Sequence, residues 1–186
     1  MENVLTKLRQ ETSKIHQELH EDPLLKSCEQ GLMNKSEYIQ MLKAFYSPWK
    51  RISPFIANVP IEALKTKLEH RNQAIRKDLY ELNVEPSFLE LTTDIQNIDE
   101  DILLGISYVL IGSSMGGTIL SEKIKSSMGD VPLSYMSMTP KEAGWPELVA
   151  QLRVLDAKKH TSITIAAIET FKAIQTELTM STINKI

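Results

Sequence analysis

The chain has 186 residues, a formal net charge of −3, 42% hydrophobic residues and one cysteine. That length suits a single domain, residues 1–186, with a sizeable core. The charge favours neither nucleic acid nor an anionic membrane surface, and the lone Cys28 excludes an internal disulfide. The N-terminus, Met1 to Gln10, lacks the apolar core of a signal peptide, so a cytoplasmic protein without a membrane partner is expected.

Helix signals then run along the chain. Val4, Leu5, Leu8, Ile15 and Leu19 form a stripe at helical spacing that ends before a turn-like segment at Pro23. Asn34 or Ser36 is placed to cap a second helix carrying Tyr38, Met41, Leu42, Phe45 and Trp49. Pro48 and Pro54 should kink or end it. A third helix is predicted from Ile61 to Leu82 on Leu64, Leu68, Ile75, Leu79 and Leu82. Pro86 suits the first turn of a fourth, running to about Ile98. A glycine-bearing helix follows from Asp99 to Met128. Gly129 to Gly144, with Pro132 and Pro140, reads as loop. A long helix from Pro146 to Leu178, interrupted near His160, closes the chain. The pattern holds no run of strands and no internal repeat. The expected fold is all-α, a single-domain bundle with bent helices.

The glycine-bearing helix is the most informative element. Ile102 to Ser121 carries no charge, yet holds four of the seven glycines: Gly105, Gly112, Gly116 and Gly117. A glycine inside a helix costs about 1 kcal/mol relative to alanine. A helix that accepts four either bends, packs closely, or lets something flat approach its backbone. Gly112 and Gly116 are four apart and share one face. A transmembrane seam conflicts with Ser107, Ser113, Ser114 and Thr118 in the run and with the lack of basic flanks. Gly112-Ser113-Ser114-Met115-Gly116 matches a nucleophile elbow in letters, but that motif needs a strand before it.

Of the four histidines, His16, His20, His70 and His160, none has a glutamate three positions earlier, so a ferritin-like di-iron site is absent. His16 lies just past the edge of the first apolar stripe, and Arg9 lies on the same edge. Seven residues set them on the order of 10 Å apart. An imidazole and a guanidinium so placed can hold the metal centre and an anionic rim group of one large flat ligand.

Leu8-Arg9-Gln10-Glu11-Thr12-Ser13-Lys14-Ile15-His16 resembles the opening of the haem oxygenase family, L-[KR]-x-x-T-x-x-x-H. Gly112-Ser113-Ser114-Met115-Gly116-Gly117, preceded by Tyr108-Val109-Leu110, resembles the distal glycine motif of its bacterial branch. Ala166-Ala167-Ile168-Glu169-Thr170-Phe171 is similar to the family's A-A-x-x-T-F on the last helix. The three occur in family order, across roughly residues 5 to 180.

The resemblance implies haem held between a proximal helix and a kinked distal helix, as both cofactor and substrate. His16 would be the axial iron ligand. Gly112 and Gly116 would leave bare backbone over the opposite face, and Gly117 would let the helix bend. Arg9 would pair with one propionate, and Arg153, Lys158 or Lys159 with the other. Phe171 would wall the pocket. The implied reaction opens haem to biliverdin, releasing CO and iron, with electrons from an external ferredoxin or flavodoxin and its reductase.

Three positions depart from the family pattern. Ser113 stands where many members have an aspartate that orders distal water, so water held by Ser113 or Ser114 and by backbone near Gly112 would take its place. Ser13 stands where some have a second basic residue. His20, four after His16, stands where an acidic residue is common, and is a rival ligand one turn away. Two other readings stay open: a haem-sequestering protein on the same fold without turnover, and a thiaminase-like hydrolase. The latter needs a catalytic cysteine in the bundle, where Cys28 is poorly placed.

Overall fold

A computed structural model of the protein describes residues 3–89 and 98–183, and every regular element among them is helical. The expected all-α class is therefore observed. α1 (Val4–His20) starts where the Asn3 side chain accepts the Leu5 N–H at 2.8 Å. It buries Val4, Leu5, Leu8 and Leu19 of the predicted stripe. Pro23 does not mark a mere turn. Asp22 caps the Leu24 N–H, and Pro23 opens α2 (Pro23–Glu29) at a position where its missing N–H is no loss.

α3 (Lys35–Ile52) is capped by Asn34 in a reciprocal pair with Glu37, each side chain accepting the other's backbone N–H at 3.1 Å. Pro48 lies inside α3, and a 3-10 segment containing Pro54 (Ser53–Asn58) follows it. α4 (Glu62–Glu81) matches the predicted third helix. The predicted fourth helix is a single 3-10 turn, Pro86–Leu89, at its start; residues 90–97 lie outside the described residues, and Ile98 is not helical.

The glycine-bearing helix is two helices, α5 (Glu100–Gly112) and α6 (Ser114–Met128), meeting at Ser113. The predicted loop from Gly129 to Gly144 contains α7 (Pro140–Ala143), capped reciprocally by Thr139 and Glu142. Left-handed Gly144 then starts α8 (Trp145–Arg153). The expected interruption falls before His160: a 3-10 turn, Ala157–Lys159, separates α8 from α9 (His160–Ile183).

α9 is the central element, packed on α1, α3 and α5. The α5–α9 crossing is very close. A Cβ on Gly105 would lie 2.3 Å from the Ile163 carbonyl oxygen and 2.7 Å from the Ala166 Cβ. Here glycine serves helix packing, and the Ala166-Ala167 pair is its counterpart. By length and composition Glu100–Met128 could cross a membrane. Instead the stretch breaks at Ser113, and α5 buries every residue from Leu103 to Ile111 within the bundle.

Gly105→Ala should therefore lower stability by about 2–3 kcal/mol, because the methyl meets backbone and a rigid Cβ. Gly116, whose Cβ would meet nothing within 4 Å, should accept alanine at no cost or gain up to about 1 kcal/mol. Urea denaturation of both variants checks this; equal losses would contradict the distinction.

Candidate functional site

Arg9, Ser13, His16 and His20 succeed one another on one face of α1, and all four line a cavity of about 590 Å³. That volume is ordinary for a small-molecule or cofactor site, roughly 300–1,000 Å³. The facing wall is the α5–α6 junction, with Tyr108, Gly112, Ser113, Gly116 and Gly117. α9 closes a side with Phe171 and Ile174. Three distant sequence motifs thus meet at one cavity.

Solvent reaches the His16 ring through the cavity, yet burial first, and the neighbouring His20 second, hold its pKa below the ordinary 6.5. The neutral imidazole, the form that binds a metal, is favoured at neutral pH. Its ring meets Phe171 edge-on, with centroids 5.8 Å apart at 83°, and His20 at 4.7 Å and 74°. Phe171 lines the cavity beside this ring. His20 pairs through Nδ1 with Glu29 Oε1 of α2 at 2.7 Å.

The glycines of the facing wall divide. A Cβ on Gly112 would make ordinary contact with Trp145 at 3.5 Å and Met115 at 3.8 Å; one on Gly116 would enter open space. Both leave backbone at the cavity. Gly117 does not carry the bend, which falls at Ser113. A Cβ on Gly117 would lie 2.9 Å from the Met136 carbonyl oxygen, so this glycine admits the segment before α7. Ser114 is fully buried and donates to the Ile111 carbonyl at 2.6 Å between two helices, so it is no nucleophile elbow.

Sequence reasoning missed the group that makes the bend. Arg71 of α4 is buried, and it donates from Nε to the Leu110 carbonyl at 2.9 Å and from Nη2 to Ser113 Oγ at 2.9 Å. Its Nη1 donates to the Tyr135 carbonyl at 3.3 Å, and the guanidinium lies 4.0 Å from the Tyr135 ring centroid. Ser113 Oγ also donates to the Leu110 carbonyl, at 2.8 Å. In an unbroken helix that carbonyl would receive the Ser114 N–H. Side chains inserted there break the helix. Burial pulls the Arg71 pKa down, but a guanidinium remains charged in proteins. The negative end of α5 and three neutral oxygens solvate it.

Asp78, two turns further along α4, accepts the N–H groups of Ser134 and Tyr135 at 3.0 and 2.8 Å. Arg71 and Asp78 thereby clamp the segment that sets the Tyr135 hydroxyl 3.4 Å from Ser113 Oγ at the cavity wall. A signal was present: both residues fall at stripe positions among Leu64, Leu68, Ile75 and Leu79.

For an anionic rim group, Arg9 is the cation among the described lining residues. It lies with Thr12 beside the Tyr108 phenol, whose pKa burial raises. Arg153, Lys158 and Lys159 do not line the cavity; Lys159 is bound to Glu100 at 3.3 Å and Asp101 at 3.1 Å.

A family model described as Heme oxygenase matches residues 2–176. The chain belongs to the haem oxygenase family. Among solved structures, the heme oxygenase of Leptospira interrogans is similar at 18% identity and a TM-score of 0.73, covering 95% of this chain and 98% of that one. Heme oxygenase-1 of the cyanobacterium Synechocystis, solved in complex with heme, is similar at 15% identity and a TM-score of 0.74, covering 96% and 92%. At these identities the likeness is one of fold. No curated protein sequence matches.

Two outcomes follow from the site's surroundings. Cys28 is buried, and its thiol is pushed up to about 12 by burial, then by Glu29. At pH 8 the thiolate fraction of the folded chain is then roughly one part in ten thousand. Iodoacetamide should label Cys28 only after unfolding, since the folded chain leaves the thiol unexposed; rapid labelling of the folded chain at pH 8 would contradict this. Arg71→Met leaves the Leu110 and Tyr135 carbonyls without that donor and should cost about 2–4 kcal/mol. Lysine should not rescue it, since one ammonium cannot match the fork. Denaturation midpoints decide the point.

Proposed function

We propose that this chain binds haem in the cavity between α1, α9 and the α5–α6 junction, and opens it oxidatively to biliverdin, releasing CO and iron. The observation that supports this best is the pairing of walls: an imidazole held neutral on one side, bare glycine backbone on the other. The donor set fits the group. His16 offers a neutral nitrogen to iron, and Arg9 a charge-assisted contact to a propionate. When bound, haem supplies both the oxygen-activating iron and the ring that is cut.

The chain's own residues do the rest. Gly112 and Gly116 put no side chain over the opposite face, which leaves room there for a small gas. Phe171 and Ile174 give the ligand an apolar wall beside His16. Ser113 Oγ and the Tyr135 hydroxyl, fixed from behind by Arg71, offer hydrogen bonds to an ordered water, which can carry a proton without a distal carboxylate. Electrons come from an external donor, since the sequence has no flavin or dinucleotide fingerprint; a ferredoxin or flavodoxin with its reductase is the class we infer. The whole chain acts as one domain, in the cytoplasm.

With a ferredoxin system or ascorbate, and catalase to remove free peroxide, haem absorbance should bleach and biliverdin appear. Stoichiometric haem without bilin under several donors would favour a sequestering protein. Gly116→Val should keep helicity but reduce haem affinity or stop turnover, by filling the bare wall. His16→Ala should change the iron–histidine signature of the wild type, whereas His20→Ala should not. The reverse pattern would move the ligand to His20. Ser113→Ala should slow turnover only modestly, because Arg71 and Tyr135 still hold the wall.

A further inference from the structure

His20 lines the same cavity as His16, its ring centroid 4.7 Å away, and its Nδ1 is bound to the Glu29 carboxylate at 2.7 Å. Metal-ligating histidines are commonly braced in this way: one ring nitrogen donates to a carboxylate, which fixes the tautomer and leaves the other nitrogen for the metal. The ring nitrogen left on His20 is Nε2.

Gly112 and Gly116 are four residues apart, as are His16 and His20, so bare backbone extends over about one turn of the facing wall. Seven residues before His16 stands Arg9; seven residues before His20 stands Ser13, which also lines the cavity. A flat ligand moved one turn along α1 would meet Nε2 of His20 in place of His16, and the Ser13 hydroxyl in place of the Arg9 guanidinium. The first seat keeps a charge-assisted contact that the second lacks, which ranks them.

We propose that the cavity has two haem seats, and that His20, braced by Glu29, is the axial ligand of the second, occupied when His16 is lost or displaced. The inference rests on the haem reading above. It assigns to Glu29 a positioning role: it touches neither seat's iron but sets which nitrogen of His20 is free.

The test is titration of hemin into the full chain, followed by reduction with dithionite and measurement of the iron–histidine stretching band by resonance Raman. His16→Ala and His16→Gln, both compatible with an exposed helical position, should keep a histidine band. Their haem affinity should fall roughly ten- to hundredfold, the loss of one charge-assisted contact. His16→Ala with His20→Ala should lose the band altogether. Glu29→Gln in the His16→Ala background should shift the band and weaken binding, since an amide cannot brace the ring as a carboxylate does. Absence of the band in both single His16 variants, or its survival in the double variant, overturns the second seat. Absence of the band in the wild type instead overturns the haem reading itself.

Discussion

A buried cation at the end of a helix organises this molecule. Arg71 reaches from α4 into the α5–α6 junction and takes the Leu110 carbonyl. The distal stretch is thereby divided at Ser113, so α5 can pack on α9 while α6 takes its own course. Without that break, one straight apolar helix would have to satisfy both the Gly105 crossing and the cavity wall. The clamp on the segment before α7 depends on the same side chain, because Asp78 accepts the Tyr135 N–H while Arg71 donates to the Tyr135 carbonyl. One guanidinium therefore fixes the wall, its hydroxyls and the loop behind them.

The four glycines of the distal stretch meet different demands. Gly105 permits backbone contact with α9, and Gly117 permits contact with Met136, both buried tasks. Gly112 and Gly116 face the cavity, where Gly116 has open space. Close packing and an open wall were rival explanations of one motif; the structure assigns each to different residues. The opposite wall has the converse logic. α1 keeps its apolar stripe in the core and presents Arg9, His16 and His20 at its edge, so a helix of ordinary amphipathic pattern carries the polar face of the site.

Much of this was legible in the sequence because helical period dominates it. The stripe of α1, the Asn34 cap and the extent of α4 all follow from local rules. The Pro23 helix was missed because proline at a first turn and proline in a turn look alike without the Asp22 cap. The bend was placed in the right helix but tied to Gly117, because a glycine signals permission to bend while the cause came from Arg71, 42 residues earlier. Long-range hydrogen bonds leave no periodic trace. The Glu29 partner of His20 was unreadable for the same reason. Arg71 and Asp78 alone left a hint, as charges standing on an apolar stripe.

Family membership and fold agree with the three motifs, while Ser113 and His20 depart from the pattern many members show. Both have partners on other elements: Ser113 meets Arg71 and Tyr135, and His20 meets Glu29. The most direct measurement of the two-walled account is a crystal structure of the wild-type chain with haem. The account predicts iron bonded to His16 Nε2, one propionate on Arg9, and the opposite haem face against Gly112 and Gly116. Haem seated outside this cavity, or held in it with side chains in place of glycine backbone over its distal face, would contradict it.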